Sequence, residues 1–233
     1  MKVIVGDKFV SFTENTNNIC FTDFVKNPQP YRNTTMITGL GLSKEELFII
    51  LEIATSNNIE LLYNDLPAPC SFTHKKRVEN CLISIPNEVE EGVYESHLIL
   101  DDNAELLLDH ITGLHIQGMV LIEACRQMFI AVATCYFSHH AFAKERYGAI
   151  NHMNCNFHSF AFPLPATIRY TRKSAIANQE DENIAFCADI EIIQAGRTVF
   201  SMSMEHTYYN SRKITSIESY KAASACNRLF ETV

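Results

Sequence analysis

The chain has 233 residues, 47% of them hydrophobic, enough to bury a full core as one domain or as one domain with a substantial extension. Its 19 basic and 27 acidic residues leave a net charge of −8, which excludes a nucleic-acid partner held by a general positive field. The eight cysteines are scattered, with no C-x-x-C pair and no zinc-type spacing to the histidines. They read as reduced core thiols of a cytoplasmic protein, with no metal or other cofactor expected.

The opening MKVIVGDKFVSF alternates like a strand and lacks the charged and apolar regions of a secretory leader, so no secretion is expected. ENTNN and KNPQPYRN read as turns. In GLGLSKEELFIILEIATSNN, Ser43 and Glu46 have capping-box spacing, and Leu47, Leu51 and Ala54 share one face of a helix of about four turns. Gly39 and Gly41 form half a dinucleotide-binding fingerprint, but Lys44 stands where the third glycine belongs, and a helix-entry turn accounts for them. From Val78, VENCLISIP and GVYESHLIL read as two strands. A long apolar helix follows, from about Gly118 to His139. Glu123 and Arg126 interrupt its apolar run, so a buried core helix is expected and no membrane span.

After the helix, NCNFHSFAFPLP, ATIRYTRKSAIA, ENIAFCADIEII and RTVFSMSMEHTYY read as strands, the last two joined through QAG as a hairpin. Residues 211 to 233 carry Ile217, Tyr220, Ala223 and Leu229 at helical spacing, and either a short amphipathic helix or a mobile tail fits them. This order predicts an α+β hotdog fold, an antiparallel sheet wrapped around a long central helix, with an N-terminal α/β extension. The expected divisions are 1–70, 71–210 and 211–233.

The segment DHITGLHIQGMVLIEACRQ, Asp109 to Gln127, concentrates chemistry at the start of the long helix. Gly113 and Gly118 leave backbone N–H groups uncovered where a carbonyl oxygen can approach the positive end of the helix dipole. Glu123 lies in an apolar run, where a carboxylate is costly unless paired or used. Arg126 and Gln127 share its helical face, so Arg126 either neutralises Glu123 or holds a phosphate with its planar fork. Lys75, Lys76 and Arg77 form a basic cluster that is either a solvated turn or a dock for an acidic carrier protein. His139, His140, His152, His158 and His206 are assigned no metal. Met202, Met204, Phe157, Phe160 and Phe162 read as core, with some able to line an acyl tunnel.

HITGLHIQGMVLIEACRQ resembles the helix signature of hotdog acyl-thioester proteins, and is most similar to the A-factor biosynthesis (AfsA-type) hotdog domain. THKKRVENCLIS, Thr73 to Ser84, resembles the opening of that domain. The resemblance implies an enzyme that takes an acyl group from a thioester on an acyl carrier protein or coenzyme A. In the AfsA type, a β-ketoacyl group passes to the hydroxyl of dihydroxyacetone phosphate on the way to a γ-butyrolactone signal. Related hotdog dehydratases use a histidine before the helix and a carboxylate on it. Those positions fall on His110 and Glu123, with His115 competing for the histidine's role. An imidazole and a carboxyl whose pKa is raised by apolar surroundings would then share the acid/base work, with the Gly118 N–H polarising the thioester. A dehydratase, a thioesterase and a non-catalytic acyl-binding protein are the alternatives. AfsA-type proteins carry two hotdog units and this chain shows one, so a homodimer is expected.

Overall fold

The computed structural model describes residues 1–63, 65–109, 113–137, 146–178 and 183–231. Strands β1 (Val3–Val5), β2 (Ile19–Cys20), β3 (Thr35–Thr38) and β4 (Glu60–Leu62) form a parallel sheet in the order β2-β1-β3-β4. Helices α1 (Val10–Glu14), α2 (Phe21–Lys26) and α3 (Lys44–Asn57) make the crossovers. The strand read into MKVIVGDKFVSF lasts only three residues, to Val5. Beyond Gly6 the chain coils into a 3-10 turn and α1, because the buried Phe9 and Phe12 follow a helical period rather than an alternating one. At α3 the capping box forms as read: the Glu46 N–H donates to Ser43 Oγ at 3.2 Å, and the Ser43 N–H to Glu46 Oε2 at 2.7 Å.

Alternation along these strands gives the parallel sheet two apolar faces. Ile4, Phe24, Met36 and Ile50 make a small core of their own, whereas Val3, Val5, Phe9, Phe12 and Leu40 join the main core of the molecule. Open parallel sheets take ligands at the strand ends where the winding reverses, here between β1 and β3. That position is capped by the rest of the chain: the Leu40 N–H donates to the Pro163 carbonyl at 3.1 Å and the Gly41 N–H to the Leu100 carbonyl at 2.8 Å. The half-fingerprint glycines serve this packing.

The second sheet is antiparallel, with order β5-β6-β8-β9-β10-β7. Its strands are β5 (Asn87–Glu90), β6 (Val93–His97), β7 (Arg146–Phe157), β8 (Thr167–Asn178), β9 (Asn183–Gln194) and β10 (Arg197–Asn210). Ile184, Phe186, Ala188, Ile190 and Ile192 of β9 alternate inward toward the main core. Ala195 (φ 50°) and Gly196 (φ 74°) make the two-residue β9–β10 hairpin turn inside the expected QAG. Two short helices, α4 (Cys70–Thr73) and α5 (Glu105–Leu108), precede the long α6 (Gly118–Tyr136), around which the sheet wraps. Alone among the described residues, α6 is long and apolar enough to cross a membrane, yet ten of its residues are buried in the fold.

Several sequence expectations need correction. VENCLISIP is not a strand: Val78–Asn80 form a 3-10 turn, and only Ile83 makes a bridge, to Leu98. The edge strand β5 takes its place beside β6, pinned by Tyr136, whose hydroxyl donates to the Pro86 carbonyl and accepts from the Glu88 N–H, each at 3.0 Å. NCNFHSFAFPLP is strand only as far as Phe157, and Phe157 and Phe160 are exposed rather than core, whereas Met202 and Met204 are buried as expected. Residues Ser211–Glu231 form a continuous helix, α7, longer than the short one expected.

Candidate functional site

Helix α6 carries two groups of candidate residues to two different clefts. On the first, Glu123 lies a turn and a half from the helix start beside Met119 and Ile122, in a cleft also lined by Lys75, Asn80, Leu82 and Leu106. Its carboxylate is fully engaged. Arg126 donates through Nε to Oε2 at 2.6 Å and through Nη2 to Oε1 at 2.8 Å; Lys75 Nζ lies 2.6 Å and Gln127 Nε2 3.0 Å from Oε1. Burial alone would raise this carboxyl, but the hydrogen bonds and charges of Arg126 and Lys75, with Gln127, outweigh it and hold the pKa down at about 2. The expected raised carboxyl is therefore reversed. A group held as an anion so firmly has no proton to give near neutral pH.

The same geometry corrects the roles expected for its neighbours. Arg126 commits its Nε–Nη2 edge to Glu123, which is the neutralising role of the two left open by the sequence. Gln127 is 0% exposed. Its Oε1 accepts from the Leu82 N–H at 2.8 Å and its Nε2 donates to the Asn80 carbonyl at 2.8 Å, so it latches the 80–82 segment to α6 and does not face a substrate. Lys75 pairs with Glu123, and Arg77 pairs with Glu79 and Glu105. Of the basic cluster, Lys76 alone forms no ion pair among the described residues.

The second cleft opens at the start of α6. His115, Ile116, Gly118 and Leu121 form one wall, and Phe157, His158, Ser159 and Phe160 the other. The floor is fixed by Ile116, whose N–H donates to the Ala161 carbonyl at 2.8 Å. A Cβ at Gly118 would lie 2.7 Å from the Phe157 ring, so only glycine lets that ring close over the first helical turn. Gln117 supplies no side-chain cap and the first turn holds no acidic residue, so among the described residues no cap or acidic first-turn side chain offsets the positive helix end beside the groove. The His115 ring packs 5.0 Å from Phe160, and His158 Nε2 is 2.8 Å from Ser201 Oγ. His158 and Ser159 carried no sequence signal, since a histidine in a strand pattern is usually only a surface residue.

Gly113 packs closely on the N-terminal unit, for a side chain there would strike the Lys8 carbonyl. His110 lies outside the described residues. His115 and Gly118 are thus brought together in one groove, while Glu123, Arg126 and Gln127 are turned to another side of the helix.

Comparison with known proteins adds one family. The model of the A-factor biosynthesis hotdog domain matches residues 65–210. No curated protein matches the chain. Among solved structures it is similar to a phenylacetic acid degradation-related protein of Ralstonia eutropha, at 15% identity and TM-score 0.39 over 53% of this chain and 83% of that one. A thioesterase of Haemophilus influenzae is similar at 14% identity and TM-score 0.39, over 55% and 79%. A hypothetical thioesterase of Streptococcus pneumoniae, crystallised with coenzyme A, is similar at 14% identity and TM-score 0.35, over 53% and 83%.

Proposed function

The chain belongs to the A-factor biosynthesis hotdog-domain family, and from that premise we propose that it transfers an acyl group from a thioester to a hydroxyl in the groove at the start of α6. The observation that carries this reading is the meeting of His115 with the uncapped, glycine-initiated end of a 19-residue helix. The thioester oxygen sits against the first-turn N–H groups, where negative charge developing on it is stabilised. His115 takes the proton of the acceptor hydroxyl as that oxygen bonds to the carbonyl carbon, and the C–S bond breaks to release the carrier thiol, which receives a proton. Leu121, Phe157 and Phe160 give the acyl chain an apolar wall. Glu123 takes no part in proton transfer; its ion pairs fix the helix start.

The donor is an acyl carrier protein or coenzyme A thioester, with a β-ketoacyl group and dihydroxyacetone phosphate as the donor and acceptor the family implies. The protein works in the cytoplasm as a homodimer. Supporting the dimer, β7 ends the sheet with an unpaired edge along which Tyr147, Ile150, Met153 and Phe157 are exposed. The test is incubation with acyl carrier-protein and acyl-coenzyme A thioesters, with and without dihydroxyacetone phosphate, read by intact mass. Acyl loss that requires the acceptor supports transfer. Free acid formed equally without it would replace transfer by hydrolysis, and no acyl loss from any donor would refute the reading.

A further inference from the structure

Away from both clefts of α6, His97 at the end of β6 and Asp65 from the segment after β4 form a pair, with Nδ1 2.7 Å from Oδ2. Both side chains are more than a third exposed, and the Tyr63 ring stands edge-on to the imidazole at 6.1 Å. The pair joins two depressions. Outward lies a shallow groove on the β5–β6 side, where Leu66, Ile85 and Val89 are each about half exposed. Inward lies a narrow crevice between the parallel sheet and β6, lined by Leu40, Leu47, Leu98 and Thr38. Thr38 is 3% exposed and its hydroxyl has no hydrogen-bond partner among the described residues. Tyr63, at the mouth, holds a left-handed backbone (φ 60°), a conformation a bulky residue adopts only when its surroundings impose it.

We propose that this is a second ligand site, built for a small, uncharged, apolar-bodied alcohol. A carboxylate can only accept, so Asp65 requires the proton on His97 Nδ1, and a neutral imidazole so fixed presents Nε2 as an acceptor. No described residue bonds to that nitrogen. A ligand that bonds to Nε2 of the neutral imidazole brings an O–H or N–H donor. Asp65 places a carboxylate at the site, which disfavours an anionic ligand, whereas Glu95 in the same groove is neutralised by Arg169 at 2.6 Å. Leu66, Ile85 and Val89 accommodate an apolar body, and the buried Thr38 hydroxyl offers a second polar contact deeper in. This site is independent of the acyl-transfer reading.

The probe is 1-hexanol, compared with methyl hexyl ether, which lacks the donor, and with hexanoate, which carries a charge. Saturation-transfer NMR on the full chain should show 1-hexanol bound, with the other two at least about tenfold weaker. His97→Phe and Asp65→Asn should each weaken 1-hexanol by about tenfold or more with the unfolding midpoint unchanged, and Thr38→Val should weaken it less. The His97 Nε2 resonance in a long-range nitrogen-proton spectrum should move on titration with 1-hexanol. Absence of 1-hexanol binding, equal binding of the ether, or undiminished binding to a folded His97→Phe protein would overturn the proposal.

Discussion

Glu123 illustrates how the neighbours of one side chain decide between acid and anchor. With Lys75 and Arg126 both within 2.6 Å of its oxygens, removing its charge leaves two half-buried cations uncompensated. Glu123→Gln should therefore cost about 3 kcal/mol of stability in urea unfolding; a loss below about 0.5 kcal/mol would contradict the ion-pair reading. The pH dependence has a definite sign. Glu123 titrates near 2 when folded and near 4.5 otherwise, so the stability it confers is complete above 4.5 and drains away as pH falls toward 2. His206, 0% exposed and with neither ring nitrogen bonded among the described residues, is pushed by burial from 6.5 down to about 3. Unfolded chains take up its proton first, so stability also falls from pH 6.5 toward 3. His206→Phe, placing a ring where the imidazole stacks on Phe186 at 5.0 Å, should leave the pH 7 midpoint equal or higher and flatten its decline between pH 6.5 and 4. A large loss at pH 7 would show that the imidazole has a partner. The sequence made Glu123 conspicuous because a lone carboxylate in an apolar helix demands an explanation. Its local partners Arg126 and Gln127 were legible from helical spacing, but Lys75 comes from a turn far upstream that no periodicity links to it.

At the scale of elements, legibility followed regular burial. β9 alternates cleanly along its whole length, β8 alternates at its start and β10 over much of its length, and all three could be read with nearly correct ends. VENCLISIP misled because Cys81, Leu82 and Ile83 are buried with no more than a single bridge, from Ile83 to Leu98: the Leu82 N–H is satisfied by the Gln127 side chain, a contact that leaves no local pattern. β5, with NEVE exposed throughout, shows no alternation at all. β7 is exposed along most of its length, and its unpaired edge is where the proposed dimer forms. Ile150→Lys with Met153→Lys would place charges in that interface, and light scattering should shift from twice the monomer mass to the monomer. A native protein already monomeric at micromolar concentration would contradict the dimer.

Across the whole molecule, the N-terminal unit and the hotdog sheet share one core. Val3, Val5, Phe9, Phe12 and Leu40 cluster with the buried face of α6, and Lys8 donates to the Asp102 carbonyl at 2.5 Å. Full-length protein should unfold in a single transition, and a chain starting at residue 65 should lose its native near-ultraviolet dichroism. Two separate transitions, or a native spectrum from the shortened chain, would show independent units. None of this union was visible in the sequence, because strands of two to four residues carry too little pattern to reveal their parallel pairing. What the union does is cap the parallel sheet's own ligand position and press Lys8 against the loop at Gly113 that leads into α6. The central claim, that the helix start and not Glu123 carries the chemistry, meets its most direct test in kcat/KM of His115→Ala and Glu123→Gln on one thioester donor, each measured on folded protein. We predict a loss of about two to four orders of magnitude for His115→Ala and less than about tenfold for Glu123→Gln. The reverse ranking would contradict the account.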